Sequence, residues 1–180
     1  MLELILMRHA KTEPAGPSAG LGQADRKRAL TDRGRADARL IGERMKSEHW
    51  LPDRILCSPA VRTRQTLETL AAAFGAAVPT EFPEALYGAR APDYLGIIAR
   101  SGGAARRLLV IGHNPTIHMT ARAAAASGDR ALRERILEKF PTAAFALISF
   151  RIDDWAEVGG ADGHLLAFVT PRDLRGSAED

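Results

Sequence analysis

Short apolar runs alternate along this chain with longer segments whose apolar residues recur at helical spacing. The runs at residues 2–7, 54–57 and 108–111 have the length and composition of strands buried in a parallel sheet. Residues 31–47 and 58–74, which lie between these runs, place apolar side chains along one side of a helix. The alternation predicts an α/β domain, a three-layer sandwich in which a mostly parallel central sheet carries helices on both faces.

Capping residues indicate where the helices begin and end. Thr31 is a good N-cap for the first long helix. Residues 58–59 and 114–115 each supply a polar N-cap followed by proline at the first helical position, and Gly75 ends the second helix. The other expected segments are a loop at 13–24, a strand at 78–82, an irregular stretch at 83–88, helices at 92–99, 115–126 and 129–139, strands at 144–151 and 164–169, and a frayed polar tail from 171.

The composition is that of a single globular domain. A length of 180 residues suits one domain, expected at 1–170 with a C-terminal tail at 171–180. Apolar residues make up 46% and charged residues 26%, which excludes a disordered chain and a coiled coil. Cys57 is the only cysteine, so no intrachain disulfide can form, and its apolar setting predicts a buried thiol. No apolar run suits a signal peptide or a membrane span, so we expect a cytoplasmic protein.

The charge balance gives no indication of a nucleic-acid partner. The net charge is only +3, and basic residues are not clustered among aromatic ones. Of the 25 basic residues, 21 are arginine. Arginine binds phosphate bidentately and better than lysine does, so the bias is compatible with a phosphate-binding protein, although codon usage alone would also produce it.

Three polar clusters directly follow three of the predicted strands, at residues 8–9, 58–62 and 112–114. In a sheet of this kind the ligand crevice lies outside the carboxyl ends of the strands, so the clusters are expected to meet. A lone histidine after a strand is more often structural. Because His9 and His113 follow two such strands, however, they are placed to face one another across the crevice.

Two arginines lie in the same clusters. Arg62 falls in the first turns of a helix, where free backbone N–H groups and the helix dipole favour an anion. Together with Arg8 and the two histidines it makes a set of donors suited to a tetrahedral dianion, because two guanidiniums can neutralise charge on the oxygens of a phosphoryl group. The residues themselves therefore predict a phosphate site at this edge of the sheet.

Five motifs resemble those of the histidine phosphatase (phosphoglycerate mutase-like) superfamily. Its three signatures correspond to Leu-Met-Arg-His-Ala at 6–10, Ser-Pro-Ala-Val-Arg-Thr-Arg-Gln-Thr at 58–66 and Ile-Gly-His-Asn-Pro at 111–115. Arg-Ala-Leu-Thr-Asp-Arg-Gly at 28–34 and Glu-Ala-Leu-Tyr at 84–87 are similar to its SixA-type phosphohistidine phosphatase branch. The resemblance covers about two thirds of the chain in the family's order and spacing, and it implies the phosphoglycerate mutase-like form of the α/β sandwich.

The resemblance implies a role for each matching position. His9 would attack phosphorus and become phosphorylated. Arg8, Arg62 and His113 would bind the phosphate around it and act with it in catalysis. Arg28 matches an additional arginine of the SixA-type branch, which would bind substrate in the same pocket from the loop before the first long helix.

Two positions depart from the family pattern. Ala10 stands where glycine usually follows the Arg-His pair, a change that a small side chain should tolerate. Glu84 falls near the place where many members carry an acidic proton donor, but the region lacks the Trp-Glu-Gly pattern of the mutase-like members. The second departure disfavours a sugar-phosphate mutase and leaves the general acid open, with Glu84 as the candidate.

These features predict a phosphatase that works through a phosphohistidine intermediate without metal or cofactor, because the arginines supply the charge that a magnesium ion otherwise provides. Protein phosphohistidine is the expected substrate. A small phosphate ester is the alternative for an enzyme, and a non-catalytic phosphate-binding module is the alternative from another class. Neither nucleic acid nor membrane is expected as a partner, and the oligomeric state is left open. Residues 13–27 and 84–105 are available as lids, which favours an open, shallow pocket.

Overall fold

The computed structural model of the chain describes residues 1–14, 23–75 and 77–175. Within these residues seven strands form one sheet: β1 (Leu2–Arg8), β2 (Arg54–Cys57), β3 (Thr80–Glu81), β4 (Arg107–Gly112), β5 (Ala125–Gly128), β6 (Phe145–Phe150) and β7 (Gly163–Val169). The α-helices of the same residues are α1 (Gln23–Arg26), α2 (Asp32–Ser47), α3 (Val61–Phe74), α4 (Ala85–Gly88), α5 (Ala91–Ser101), α6 (Thr116–Ala124), α7 (Arg130–Glu138) and α8 (Pro171–Leu174). A 3₁₀ helix spans Trp155–Gly160.

The sheet is mostly parallel, as the sequence predicts. Its strand order is β3-β2-β4-β1-β6-β7-β5. β6 runs antiparallel to its neighbours β1 and β7, and the other pairings among the described strands are parallel. β2, β4 and β1 lie side by side and point in one direction, so the polar clusters that follow them leave the sheet at the same edge.

Alternate residues of β1 enter two separate hydrophobic cores. Leu4 and Leu6 belong to the core beneath α5, α6 and α7, whereas Ile5 and Met7 belong to the core beneath α2 and α3. All four side chains are fully buried. Because successive side chains of a strand point to opposite faces, helices cover both faces of the sheet, and the three-layer α/β sandwich is confirmed.

The ends of α2 and α3 depend on the residues that the sequence indicates. The Thr31 hydroxyl caps α2 by accepting a hydrogen bond from the Gly34 N–H at 3.0 Å. Gly75 ends α3 with a φ of 74°, a left-handed conformation that glycine adopts without strain. These two boundaries are confirmed.

Two expected N-caps are wrong, because each side chain has another partner. α3 begins after Ala60 rather than Ser58, and the Ser58 hydroxyl instead contacts a histidine at the edge of the sheet. Pro115 rather than Asn114 precedes α6. The Asn114 amide donates to the Phe140 carbonyl oxygen at 3.0 Å and thereby joins the loop after β4 to the loop before β6.

Tertiary pairing also changes the length of two elements. The strand expected at 78–82 is reduced to β3 by the prolines at 79 and 83, which lack the N–H that a strand needs. The alanine-rich helix expected to reach residue 126 ends at Ala124, and the chain continues as β5. Pairing of β5 with β7 thus outweighs the helix propensity of alanine.

Two segments expected to lack regular structure contain short helices. The stretch at 83–88 includes α4. The first residues of the expected tail form α8, where Asp173 accepts a hydrogen bond from the Thr170 N–H at 2.8 Å and pairs with Arg135 at 2.6 Å. Residues 176–180 of that tail, and residues 15–22 of the loop expected at 13–24, lie outside the described residues.

The structure also bears on the lone cysteine and on membrane insertion. Cys57 is fully buried at the end of β2, and burial raises the pKa of its thiol to about 12. This agrees with a structural thiol. Within the described ranges, no helix has both the length and the apolar character needed to cross a membrane.

Candidate active site

The three polar clusters meet at one edge of the sheet. The backbone N–H of His9, directly after β1, donates to Gly112 O of β4 at 3.1 Å. The N–H of Ser58, directly after β2, donates to Ile111 O of β4 at 3.0 Å. These bonds extend the strand pairing by one residue, so both residues are held beside His113, which follows β4.

The His9 ring is fixed in one tautomer. Its Nδ1 lies 2.7 Å from the carbonyl oxygen of Ala10. Since a carbonyl oxygen can only accept, Nδ1 must carry the proton, and the ring's lone pair is on Nε2. The Ala10 backbone is itself held, because its N–H donates to Thr66 Oγ1 at 3.0 Å.

The His113 ring is fixed in the opposite tautomer. Its Nδ1 accepts a hydrogen bond from Arg62 Nε at 3.2 Å, so the proton of the neutral ring is on Nε2. Nε2 lies 2.7 Å from the Ser58 hydroxyl, which accepts this proton's hydrogen bond. The centroids of the His9 and His113 rings are 5.3 Å apart, so the two histidines do face one another across the crevice.

Both histidines are held neutral at physiological pH. Each is only 9% exposed, and burial is the main reason that the pKa of each ring falls to about 3. The guanidinium of Arg62 lowers both pKa values further, and that of Arg8 adds to this effect. A neutral His9 ring with a free lone pair at Nε2 is chemically a nucleophile.

The two predicted arginines lie at this pocket and retain donors. Arg62 is buried in the first turn of α3, and Arg8 donates from Nη1 to Phe140 O at 3.0 Å. Arg8 Nε is buried and has no hydrogen-bond partner among the described residues. We call the four residues Arg8, His9, Arg62 and His113 the inner pocket.

One charged residue of the site was missed by sequence reasoning. Asp25, in α1, accepts hydrogen bonds from Arg62 Nη2 at 2.9 Å, from Arg28 Nη1 at 3.0 Å and from the Tyr87 hydroxyl at 3.0 Å. Its backbone carbonyl also accepts from Arg62 Nη1 at 2.7 Å. The one signal in the sequence was its position three residues before Arg28. We call Asp25, Arg28 and Tyr87 the mouth of the pocket.

Arg28 lies at this mouth, where protein groups accept several of its hydrogen bonds. Besides its bond to Asp25, it donates from Nη2 to Thr12 Oγ1 at 2.6 Å and to Glu13 O at 2.9 Å. It is close enough to the inner pocket that its charge contributes to the lowered pKa of His9. The two segments expected as lids, 13–27 and 84–105, therefore meet here, since the Tyr87 hydroxyl of one donates to the Asp25 carboxylate of the other.

Glu84 is not brought to the inner pocket. Its carboxylate is paired with Arg26 Nη2 at 2.7 and 2.9 Å, and its side chain is 72% exposed. Arg26 in turn stacks on the Tyr87 ring, with its guanidinium carbon 4.8 Å from the ring centroid. The candidate proton donor thus lies outside the mouth, among the exposed charges.

The charges of the inner pocket are suited to an anion. The guanidiniums of Arg62 and Arg8 lie close enough to the neutral His9 imidazole to lower its pKa. Cationic groups so placed can stabilise charge on a transferring phosphoryl group. Across residues 1–14, 23–75 and 77–175, no three histidine, cysteine, aspartate or glutamate side chains group as metal ligands do.

Known proteins of similar sequence and structure include histidine phosphatases. The uncharacterised protein Rv1276c of Mycobacterium tuberculosis is 39% identical over 168 residues, which are 92% of this chain and 100% of that one. A structure assigned to the phosphohistidine phosphatase SixA of Agrobacterium tumefaciens is 28% identical, with a TM-score of 0.77 over 94% of this chain and 98% of that one. The protein histidine phosphatase SixA complexed with tungstate is 25% identical, with a TM-score of 0.69 over 96% and 99%.

A family model gives the assignment. The model of the histidine phosphatase superfamily (branch 1) matches residues 4–96, which is about half of the chain. This range includes His9, Arg62 and the whole mouth of the pocket, and the SixA-type likeness expected from the motifs is confirmed by the structural relatives. The chain belongs to the histidine phosphatase superfamily, and it is a phosphatase.

Proposed function

We propose that this phosphatase hydrolyses phosphohistidine on a partner protein, with His9 as the nucleophile that carries the phosphoryl group. The observation that carries the proposal is the tautomer of His9, whose Nδ1–H donates to the Ala10 carbonyl oxygen and leaves the lone pair on Nε2. Burial and the nearby guanidiniums hold the ring neutral. A neutral imidazole with one fixed, free nitrogen is what nucleophilic attack on phosphorus needs.

In the first step, His9 Nε2 forms a bond to phosphorus and the phosphorus–nitrogen bond of the substrate breaks. The bonding electron pair goes to the substrate imidazole, which departs neutral if its other nitrogen is already protonated. Arg8 and Arg62 would donate to the phosphoryl oxygens, where charge is spread in the transition state. The buried, unpaired Nε of Arg8 supports this role, because it is a donor without a described partner.

In the second step, water attacks phosphorus and the bond to His9 Nε2 breaks. Phosphorylated His9 still donates its Nδ1 proton to Ala10, so the ring leaves as a neutral imidazole, and no separate acid is needed. The proton released by water goes to the phosphate product or to solvent. The enzyme's own intermediate and the proposed substrate are thus the same kind of phosphorus–nitrogen compound.

The position of the acidic residues favours phosphohistidine over a phosphate ester. An ester leaves as an alkoxide, which needs a proton donor. Glu84 is paired with Arg26 outside the mouth. Asp25 is held as a carboxylate: although burial opposes this, its hydrogen bond from Arg28 and the charge of Arg62 keep its pKa below the ordinary value. The names of the two structural relatives, both SixA phosphatases, also support the proposal.

The test compares two substrates and two proteins. Wild type and His9→Ala are incubated with a phosphohistidine-bearing protein and with an aryl phosphate, and phosphate release is measured. We expect release from the phosphohistidine protein by wild type, and a loss of at least about a thousandfold in His9→Ala. Release undiminished by His9→Ala would reject the mechanism. A wild-type preference for the aryl phosphate would reject the proposed substrate.

A further inference from the structure

The Asp25 carboxylate occupies an unusual place for an acidic group in a phosphate pocket. It bridges Arg28 and Arg62, with distances of 3.0 and 2.9 Å to their guanidinium nitrogens, and it accepts from the Tyr87 hydroxyl at 3.0 Å. Its side chain is 23% exposed, whereas His9 is 9% exposed. A negative charge therefore lies on the solvent side of the site, and it is hydrogen-bonded to Arg62, an arginine of the inner pocket.

The direction of phosphoryl transfer decides what this charge meets. His9 lies on the inner side of the pocket, and an attacking group and a leaving group are roughly in line across phosphorus. With His9 as the attacking group, the leaving group would be on the outer side, where the more exposed Asp25 accepts the hydrogen bond of Tyr87. A carboxylate there attracts a leaving group that carries a proton or positive charge, and it repels one on which negative charge develops.

Resting on the phosphohistidine phosphatase activity proposed above, we infer that Asp25 is a selectivity residue, which favours phosphoryl groups on a protonated nitrogen over phosphate esters. The bond changes are those of the first step, with no additional reactant. As the phosphorus–nitrogen bond breaks, the electron pair returns to the imidazole. The N–H on that ring's other nitrogen stays in place and donates a hydrogen bond to Asp25. An alkoxide or phenolate would instead develop its charge beside the carboxylate.

The same carboxylate has a second effect on selectivity. The Asp25 carboxylate partly neutralises the positive charge of Arg28 and Arg62 and accepts hydrogen bonds from both. A phosphate dianion must therefore compete with Asp25 for their N–H groups. A substrate with a cationic leaving group loses less by this competition, since the carboxylate gains a partner when it binds. Asp25 should therefore weaken the binding of free phosphate while it favours the nitrogen-linked substrate.

The experiment measures kcat/KM of Asp25→Asn, which keeps the shape of the side chain and removes its charge. The substrates are a phosphohistidine-bearing protein and para-nitrophenyl phosphate. We expect the ratio of kcat/KM on the phosphohistidine protein to kcat/KM on the aryl phosphate to fall at least about tenfold. Tenfold is the effect of one unit charge about 3 Å away at the dielectric constant of bulk water, which is the lower limit for a partly exposed group. Inorganic phosphate should inhibit the variant several-fold more strongly. Asp162→Asn is the matched control, since Asp162 is exposed and precedes Gly163, at the opposite edge of the sheet.

The outcomes are distinguishable from failure of the proposed function. An equal fall on both substrates, with weaker inhibition by phosphate, would show that Asp25 only positions the arginines and would overturn the inference. Wild type inactive on phosphohistidine would overturn the proposed substrate instead. If Asp25→Asn is unstable, a measurement on wild type alone still tests the inference. Wild type should hydrolyse an aryl phosphate with an ammonium substituent about fivefold faster than one with a carboxylate substituent. The reverse order would overturn the inference.

Discussion

The inner pocket and its mouth are built in different ways. His9 and His113 are attached directly to neighbouring strands, and each ring is fixed by a hydrogen bond to the backbone or to Ser58. The mouth is built from charged side chains on segments between strands, with Asp25 between Arg28 and Tyr87. In the mechanism proposed above, the nucleophile and the selectivity therefore depend on separate parts of the chain, which substitutions can test separately.

Apart from the loss of the nucleophile itself, the largest effect is expected where the two regions join. Arg62 contacts His113 in the inner pocket and Asp25 at the mouth. In the proposed mechanism the Arg62 guanidinium stabilises charge on the transferring phosphoryl group, so kcat/KM of Arg62→Ala should fall by about two to three orders of magnitude. Steady-state kinetics on a phosphohistidine substrate measures this. Arg62→Lys keeps the charge but not the planar fork, and it should recover only part of the loss. Full activity in Arg62→Lys would contradict the role.

The second prediction concerns the dependence of the free energy of unfolding on pH, to which the inner pocket should contribute and the mouth should not. The pKa of His9 and of His113 is about 3 in the folded chain and about 6.5 when exposed. Between these values the unfolded state binds more protons, so stability is complete above pH 6.5 and is lost as pH falls. From pH 6.5 to 5 each histidine should remove about 2 kcal/mol from the free energy of unfolding.

Urea unfolding at pH 7 and pH 5 measures this loss. His113→Gln cannot be protonated, so its stability should change less between the two pH values than that of wild type. The Asp25 carboxylate at the mouth stays charged in this range, because its pKa lies below the ordinary value, so Asp25→Asn should keep the wild-type pH dependence. If wild type and His113→Gln lose the same free energy of unfolding between pH 7 and pH 5, His113 is not buried as a neutral ring.

The inner pocket followed from the sequence more fully than the mouth did. His9 and His113 each follow, after one intervening residue, an apolar run that has the length and composition of a strand, and parallel strands bring their carboxyl ends together. Asp25 lies 37 residues from Arg62 in the chain, and no periodicity or capping rule joins the two. The error at Ser58 has the same origin: a local rule predicts an N-cap, but the hydroxyl bonds to His113, which is 55 residues away.

An effect of intermediate magnitude is expected at Ser58, which contacts His113 of the inner pocket. Ser58→Ala removes the acceptor of the His113 Nε2–H, so the ring loses the bond that fixes its tautomer and orientation. We expect kcat to fall about tenfold with little change in KM, because the interaction aligns a group and does not bind substrate. Ser58→Thr, which keeps a hydroxyl, should retain more activity. Equal losses in both variants would point to packing as the cause.

The smallest effect is expected outside the mouth, at Glu84. Its carboxylate pairs with Arg26 and is largely exposed, and such surface pairs contribute about 0–1 kcal/mol. Glu84→Gln should therefore change phosphohistidine hydrolysis by about twofold or less, since an imidazole leaving group that already carries a proton needs no acid. Phosphate release from phosphohistidine and from an aryl phosphate, measured in parallel, checks this. A large loss on the aryl phosphate alone would make Glu84 the proton donor for ester hydrolysis. Large losses on both substrates would instead extend the catalytic machinery beyond the mouth.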